Sequence, residues 1–100
     1  MLKSPSFSID STFVQGSGNI VSDMDGEKVM MNIHNGKYYN LGKTGGTIWE
    51  LLVTPITIKQ LTSILTVEFD VGETECEQEV LSFLELLNKE GLIQVEELGE

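Results

Sequence analysis

The sequence predicts an α+β domain in which a three-stranded antiparallel meander is followed by three helices, with room for a short strand at the C-terminus. Three observations carry this. Asp25-Gly26 and Asn35-Gly36 are each the dipeptide that a two-residue type I′ turn prefers, because both central residues of that turn need positive φ. Between and beside them, Ile20-Val21-Ser22, Lys28 to Ile33 and Lys37 to Leu41 are rich in β-branched, aromatic and Met side chains. Downstream, Thr47/Glu50, Thr57/Gln60 and Thr74/Glu77 each have the spacing of a helix capping box.

The first residues are Ser-rich and weakly patterned, so residues 1–17 are expected to form a loosely held arm and residues 18–98 the domain. Thr12-Phe13-Val14 offers an extra strand that Gly16-Ser17-Gly18 would interrupt. Two-residue hairpins set Ile33 opposite Tyr38 and Val29 opposite Ser22, which places Ile20, Val29, Met31, Ile33 and Tyr38 on one face, the expected core face. The other face carries Lys28, Asn32, His34 and Lys37, but also Val21, Met30, Tyr39 and Leu41, so either a bulge shifts the register or this face is partly covered too.

The first helix is expected from residue 44 or 47 to Val53, with Gly45-Gly46 as a flexible approach and Thr54-Pro55 as the stop. Thr57 caps a second helix over about 58–68, along which Ile58, Leu61, Ile64 and Leu65 form a stripe. Asp70-Val71-Gly72 breaks the chain, and a third helix runs to Glu90, with acids in its first turns suited to the helix dipole and Gly91 suited to a left-handed C′ position. Leu92 to Val95 is the candidate last strand.

Composition narrows the function. One hundred residues make a single domain that needs no metal or disulfide, and one cysteine cannot cross-link the chain to itself. Cys76 is expected to be a small buried apolar residue. No segment approaches the roughly 20 apolar residues of a membrane span, and the N-terminus has no signal-peptide core, so the expectation is a soluble cytoplasmic protein. The net charge of −10 sits entirely in the last third: acids and lysines balance through residue 67, and Lys89 is the one base after it.

That distribution argues against nucleic acid. There is no arginine, and the third helix carries Glu73, Glu75, Glu77, Glu79, Glu85 and Glu90 against one lysine, whereas phosphate anchoring depends on basic side chains. Catalysis fares no better. His34 flanks a turn, Cys76 has no base partner in the pattern, and Asp23-Met24-Asp25-Gly26-Glu27 lacks the length and ligands of a calcium loop. Gly42, Gly45 and Gly46 match no phosphate-loop spacing. The expectation is no catalytic activity, no cofactor and no metal.

Two features point elsewhere. The third strand, Lys37 to Leu41, has no proline and only a terminal charge, so as an edge it offers unpaired N–H and C=O groups. On the third helix, Cys76, Val80, Leu81, Phe83, Leu84, Leu86 and Leu87 span an arc of about 220°, roughly twice what one sheet face requires. The surplus either packs on the other helices or lines an open groove. An extended peptide could pair with that strand and insert apolar side chains against the helix.

The stretch D-G-E-x-V-x-x-N-x-x-x-G-x-Y-Y-x-L-x-x-T-G-x-x-I-W-x-L-L, followed by P-x-T-x-x-x-L, F-D-V and F-L-x-x-L-x-x-x-G-L-I, resembles the PqqD-like family over residues 18–96. These are recognition elements for ribosomally made, modified peptides and include the stand-alone leader-binding proteins of lasso-peptide biosynthesis. The resemblance implies a winged helix-turn-helix-like domain that binds a precursor's leader as an added strand and delivers it to a processing enzyme. Carried over by position, the docking strand is Lys37, Tyr38, Tyr39, Asn40 and Leu41, and the groove wall is Glu79, Val80, Phe83, Leu84 and Leu87. The implied partners are the leader peptide, a separate leader-cleaving cysteine protease and a macrocyclase or other maturation enzyme. The alternatives are a peptide chaperone for a radical-SAM maturase and, against the charge argument, a winged-helix DNA-binding regulator. Gly42 departs from the Asn or Asp with which many relatives cap the first helix.

Overall fold

The computed structural model describes Phe7 and residues 11–96. The remainder of the expected arm, and the last two residues of the expected domain, lie outside the described residues. Two three-stranded antiparallel sheets and three helices make up the fold, in the order β1 (Thr12–Gln15), β2 (Asn19–Met24), β3 (Glu27–Asn32), β4 (Tyr38–Leu41), α1 (Gly42–Leu51), β5 (Ile56–Thr57), α2 (Ile58–Phe69), α3 (Glu73–Lys89) and β6 (Ile93–Glu96).

The expected meander is the sheet β2-β3-β4. Asp25 and Gly26 have φ of 57° and 86°, and Met24 pairs with Glu27, as a two-residue type I′ turn demands. The second connection is longer than expected. Met31, not Ile33, lies opposite Tyr38, because the Asn32 side chain organises the loop: its Oδ1 accepts from the His34 and Asn35 amides at 2.9 and 3.0 Å. The register moves by two residues, which leaves every side chain on its original face.

The face that packs inward is the opposite of the expected one. Met30, Asn32 and Leu41 are buried beneath α1, whereas Ile20, Ile33 and Tyr38 are exposed and Val29 and Met31 half-buried. Both faces carry apolar residues, and Lys28 and Asn32, which marked the second face for solvent, find partners. The Lys28 stem lies over Gly46, and its ammonium bridges Asp23 at 2.6 Å and Glu50 at 2.9 Å, interactions that raise the lysine pKa above its usual value. Asn32 Nδ2 donates to Asn19 Oδ1 at 2.7 Å, and Asn19 in turn donates to the Gly16 and Leu92 carbonyls.

The second sheet, β5-β1-β6, has its middle strand within the expected arm. Residues 12–15 are thus held tightly: Phe13 is fully buried, meets Phe7 edge-on at 4.8 Å, and sits in a strand paired on both sides. The C-terminal strand is present, one residue later than expected.

Helix boundaries follow local chemistry. The capping box of Thr57 and Gln60 forms, Asp70 ends α2 at φ 53°, and Gly91 has φ 77° after α3. The Thr47 and Thr74 boxes do not form, since α1 and α3 begin earlier, the latter from Gly72 without a side-chain cap. Gly45 and Gly46 are not a flexible approach but buried helical residues at close crossings, Gly45 against Phe83 of α3 and Gly46 against Lys28 of β3. Between the layers lies a core of Met30, Ile48, Trp49, Leu52, Leu61, Leu65, Val80, Leu84 and Leu87. Cys76 belongs to it, and burial pushes its thiol pKa up, away from nucleophilic use.

Candidate functional site

Among the described residues β4 pairs with β3 alone, so its other margin is an open edge. Ladder parity decides which groups that edge offers. The Asn32 amide donates to the Lys37 carbonyl at 3.0 Å, and in an antiparallel ladder the residues that point at the partner alternate. Lys37 and Tyr39 therefore turn their backbone groups toward β3, while Tyr38 and Asn40 turn theirs outward. The side chains alternate the other way: Tyr39 and Leu41 face the helices, Tyr38 and Asn40 face solvent.

Helix α3 runs beside this edge in the opposite direction. At one end Tyr39 Oη donates to Glu90 Oε1 at 2.8 Å, Asn35 Nδ2 donates to Tyr39 Oη at 2.9 Å, and Lys37 Nζ lies 3.5 Å from the same carboxylate oxygen. Partial burial and the bond to Glu90 raise the Tyr39 phenol pKa, and the phenol and Lys37 together lower that of Glu90. At the other end the Phe83 ring lies against Gly45, beside Leu41.

The expected wall residues divide into two stripes of α3. Val80, Leu84 and Leu87 share the buried stripe with Cys76 and form the core rather than an accessible surface. Glu79 is exposed and Phe83 half-buried, and they lie on a neighbouring stripe with Leu86, which is 50% exposed, and Glu90. This i, i+4, i+7, i+11 series reads acid, aromatic, aliphatic, acid. A surface depression of α3 lined by Glu75, Gln78, Glu79, Ser82, Phe83 and Leu86 takes in the first three residues of this series. The sequence pattern placed Leu86 in the wide apolar arc but not in the wall, and it missed Glu90; the 79-83-86-90 spacing is the signal available for both.

The remaining candidates keep to themselves. His34 is exposed at its loop, Trp49 is core, and the described residues contain no group of three His, Cys, Asp or Glu able to hold a metal. No helix among them is long and apolar enough to cross a membrane.

What the arrangement can do is bind an extended chain: hydrogen-bonding groups on one side, a short apolar strip on the other, acids at both ends of the strip. Two solved structures share the fold. One is TbiB1 in complex with the TbiA(beta) leader peptide, with a TM-score of 0.73 and 22% identity over 81% of this chain and 94% of that one. The other is a lasso peptide synthetase B1 complexed with the leader peptide, with a TM-score of 0.72 and 22% identity over 82% of this chain and 96% of that one. No curated protein sequence matches. The family described as coenzyme PQQ synthesis protein D (PqqD) matches residues 27–93, from the first residue of β3 to the first residue of β6. With two thirds of its length in that match, the chain belongs to the PqqD family.

Proposed function

We propose that this protein is a non-catalytic cytoplasmic adaptor that binds the leader of a ribosomally made lasso-type precursor as an added strand on β4. It then delivers the peptide to a separate leader-cleaving protease that holds the cysteine nucleophile, with a macrocyclase or other maturation enzyme acting afterwards. The observation that carries this reading is the pair of outward-turned residues Tyr38 and Asn40 beside the Glu79-Phe83-Leu86-Glu90 stripe. The two similar structures, both of them leader-peptide complexes, support it. Affinity comes from main-chain bonds along residues 37–41, and specificity from apolar leader side chains facing α3. The acids of α3 favour a lysine-bearing leader.

Titration of the synthetic leader of the neighbouring precursor gene against wild type and a Tyr38→Pro variant tests the proposal. Proline removes the outward amide donor at a strand edge that tolerates it. Binding should fall at least tenfold in a folded variant, and unchanged affinity would refute docking on β4.

A second reading, a peptide chaperone for a radical-SAM maturase, draws on the description of the matched family, coenzyme PQQ synthesis. The neighbouring genes separate the two: a small protease and an asparagine-synthetase-like cyclase on one side, an iron-sulfur enzyme on the other. The remaining alternative, a winged-helix DNA-binding regulator, is disfavoured because the acidic α3 repels the phosphates such a protein must contact.

A further inference from the structure

We infer that Gly45, which lies on α1 outside the groove wall, sets the groove's depth and thereby the size of the one apolar side chain that a bound peptide inserts. This inference rests on the peptide-binding reading above and concerns what that site selects.

A Cβ built on Gly45 would lie 3.0 Å from Phe83 Cζ, 3.2 Å from Phe83 Cε1 and 3.4 Å from Leu41 Cβ. The first two distances are closer than side chains normally pack, so the ring occupies its place because residue 45 has no side chain. Its tip is sunk where α1, β4 and α3 meet. Leu41 is buried on the β4 side, and Val80, Leu84 and Leu87 are fully packed along the core stripe of α3. A methyl group at position 45 therefore has one direction in which to move the ring, outward, into the space beside the free edge. Phe83 and Leu86 line the α3 side of that space, within the depression on the helix surface, and Gly45 is the residue that positions Phe83.

This apolar lining is short. From Phe83 to Leu86 the helix rises about 4.5 Å, whereas side chains on one face of a strand repeat every 6.6–6.8 Å or so. One inward-pointing peptide side chain fits over the apolar pair. Its same-face neighbours, two residues to either side, meet acids: Glu90, already engaged by Tyr39 and Lys37, and exposed Glu79. The side chains selected are thus a medium aliphatic one, flanked two residues away, toward Glu79, by a lysine or arginine.

A display library of random peptides about 12 residues long, selected on the full chain, provides the test and requires no leader sequence. Wild type should enrich sequences with Leu, Ile, Val or Met at one position and a basic residue two positions away. Gly45→Ala, which asks the Phe83 ring to give by a few tenths of an ångström, should move that position from Leu and Met toward the smaller Val and Ala and weaken the best wild-type peptide about threefold. Phe83→Leu, which enlarges that space, should shift it toward Phe or Trp, and the double variant should restore the wild-type preference. Circular dichroism reports whether each variant folds, and if Gly45→Ala does not, Phe83→Leu decides. Enriched peptides with the same preference in every folded variant would overturn the role given to Gly45 and Phe83. Enriched peptides that still bind Tyr38→Pro, or no enrichment on wild type, would overturn the peptide-binding reading itself and this inference with it.

Discussion

The Tyr39 hydroxyl donates to Glu90 Oε1 at 2.8 Å, which ties the middle of the edge strand to the end of α3 and closes one end of the space between them. This bond requires opposite protonation states of two acids, a neutral phenol and an ionised carboxyl. Their pKa values are moved apart accordingly.

A pH dependence with two limits follows. Glu90 has a folded pKa below its usual value, held there by the Tyr39 bond and then by Lys37, so its contribution is present above the unfolded carboxylate pKa and lost as pH falls through the folded value. Tyr39 has a folded pKa above its usual value, through burial first and Glu90 second, so its contribution is present below the unfolded phenol pKa and lost as pH rises through the folded value. Denaturation midpoints of wild type should exceed those of Glu90→Gln at neutral pH and converge with them in acid. Tyr39→Phe should remove a late-titrating phase from the phenolate absorbance.

The two stripes of α3 should respond differently to truncation. Leu84 is fully buried, and Leu84→Ala should cost about 2–5 kcal/mol in urea unfolding through the cavity it leaves, with little change in peptide affinity of the folded protein.

Leu86→Ser should do the reverse. The side chain is 50% exposed, so its loss changes stability little, but it removes half of the apolar lining. Peptide affinity should fall about tenfold, the equivalent of roughly 1.4 kcal/mol of lost burial, as read by fluorescence anisotropy.

Salt gives a further check. With Glu75 and Glu79 exposed along the depression, the affinity of a lysine-bearing leader should fall as ionic strength rises, and replacing its lysines by glutamine should flatten the dependence.

Local chemistry is legible in the sequence only in part, since the Asn35-Gly36 turn and the Thr47 and Thr74 boxes do not form as read, and the long-range choices are not legible. Asp25-Gly26, the Thr57 and Gln60 box and the Gly91 stop each act within a few residues, and each stands where the sequence places it. The second sheet escapes such a reading because Phe13 pairs with Ile56 and Val95, contacts that no local pattern encodes, through strands of two to four residues. The inward face of the meander is not legible locally, because Lys28 and Asn32 look like solvent markers until Glu50, Asp23 and Asn19 are brought to them. On α3 the edge-facing and core-facing stripes lie about a quarter-turn apart, and the wall that the family resemblance implies draws on both, Glu79 and Phe83 from the first and buried Val80, Leu84 and Leu87 from the second.

Backbone amide exchange with and without the leader peptide decides whether the leader docks on β4. The Tyr38 and Asn40 amides should exchange fast in the free protein and slow down when the leader binds, while the Tyr39 amide, already bonded within the sheet, should be protected in both states. A leader that binds while Tyr38 and Asn40 keep their free-state exchange rates would contradict docking on that strand.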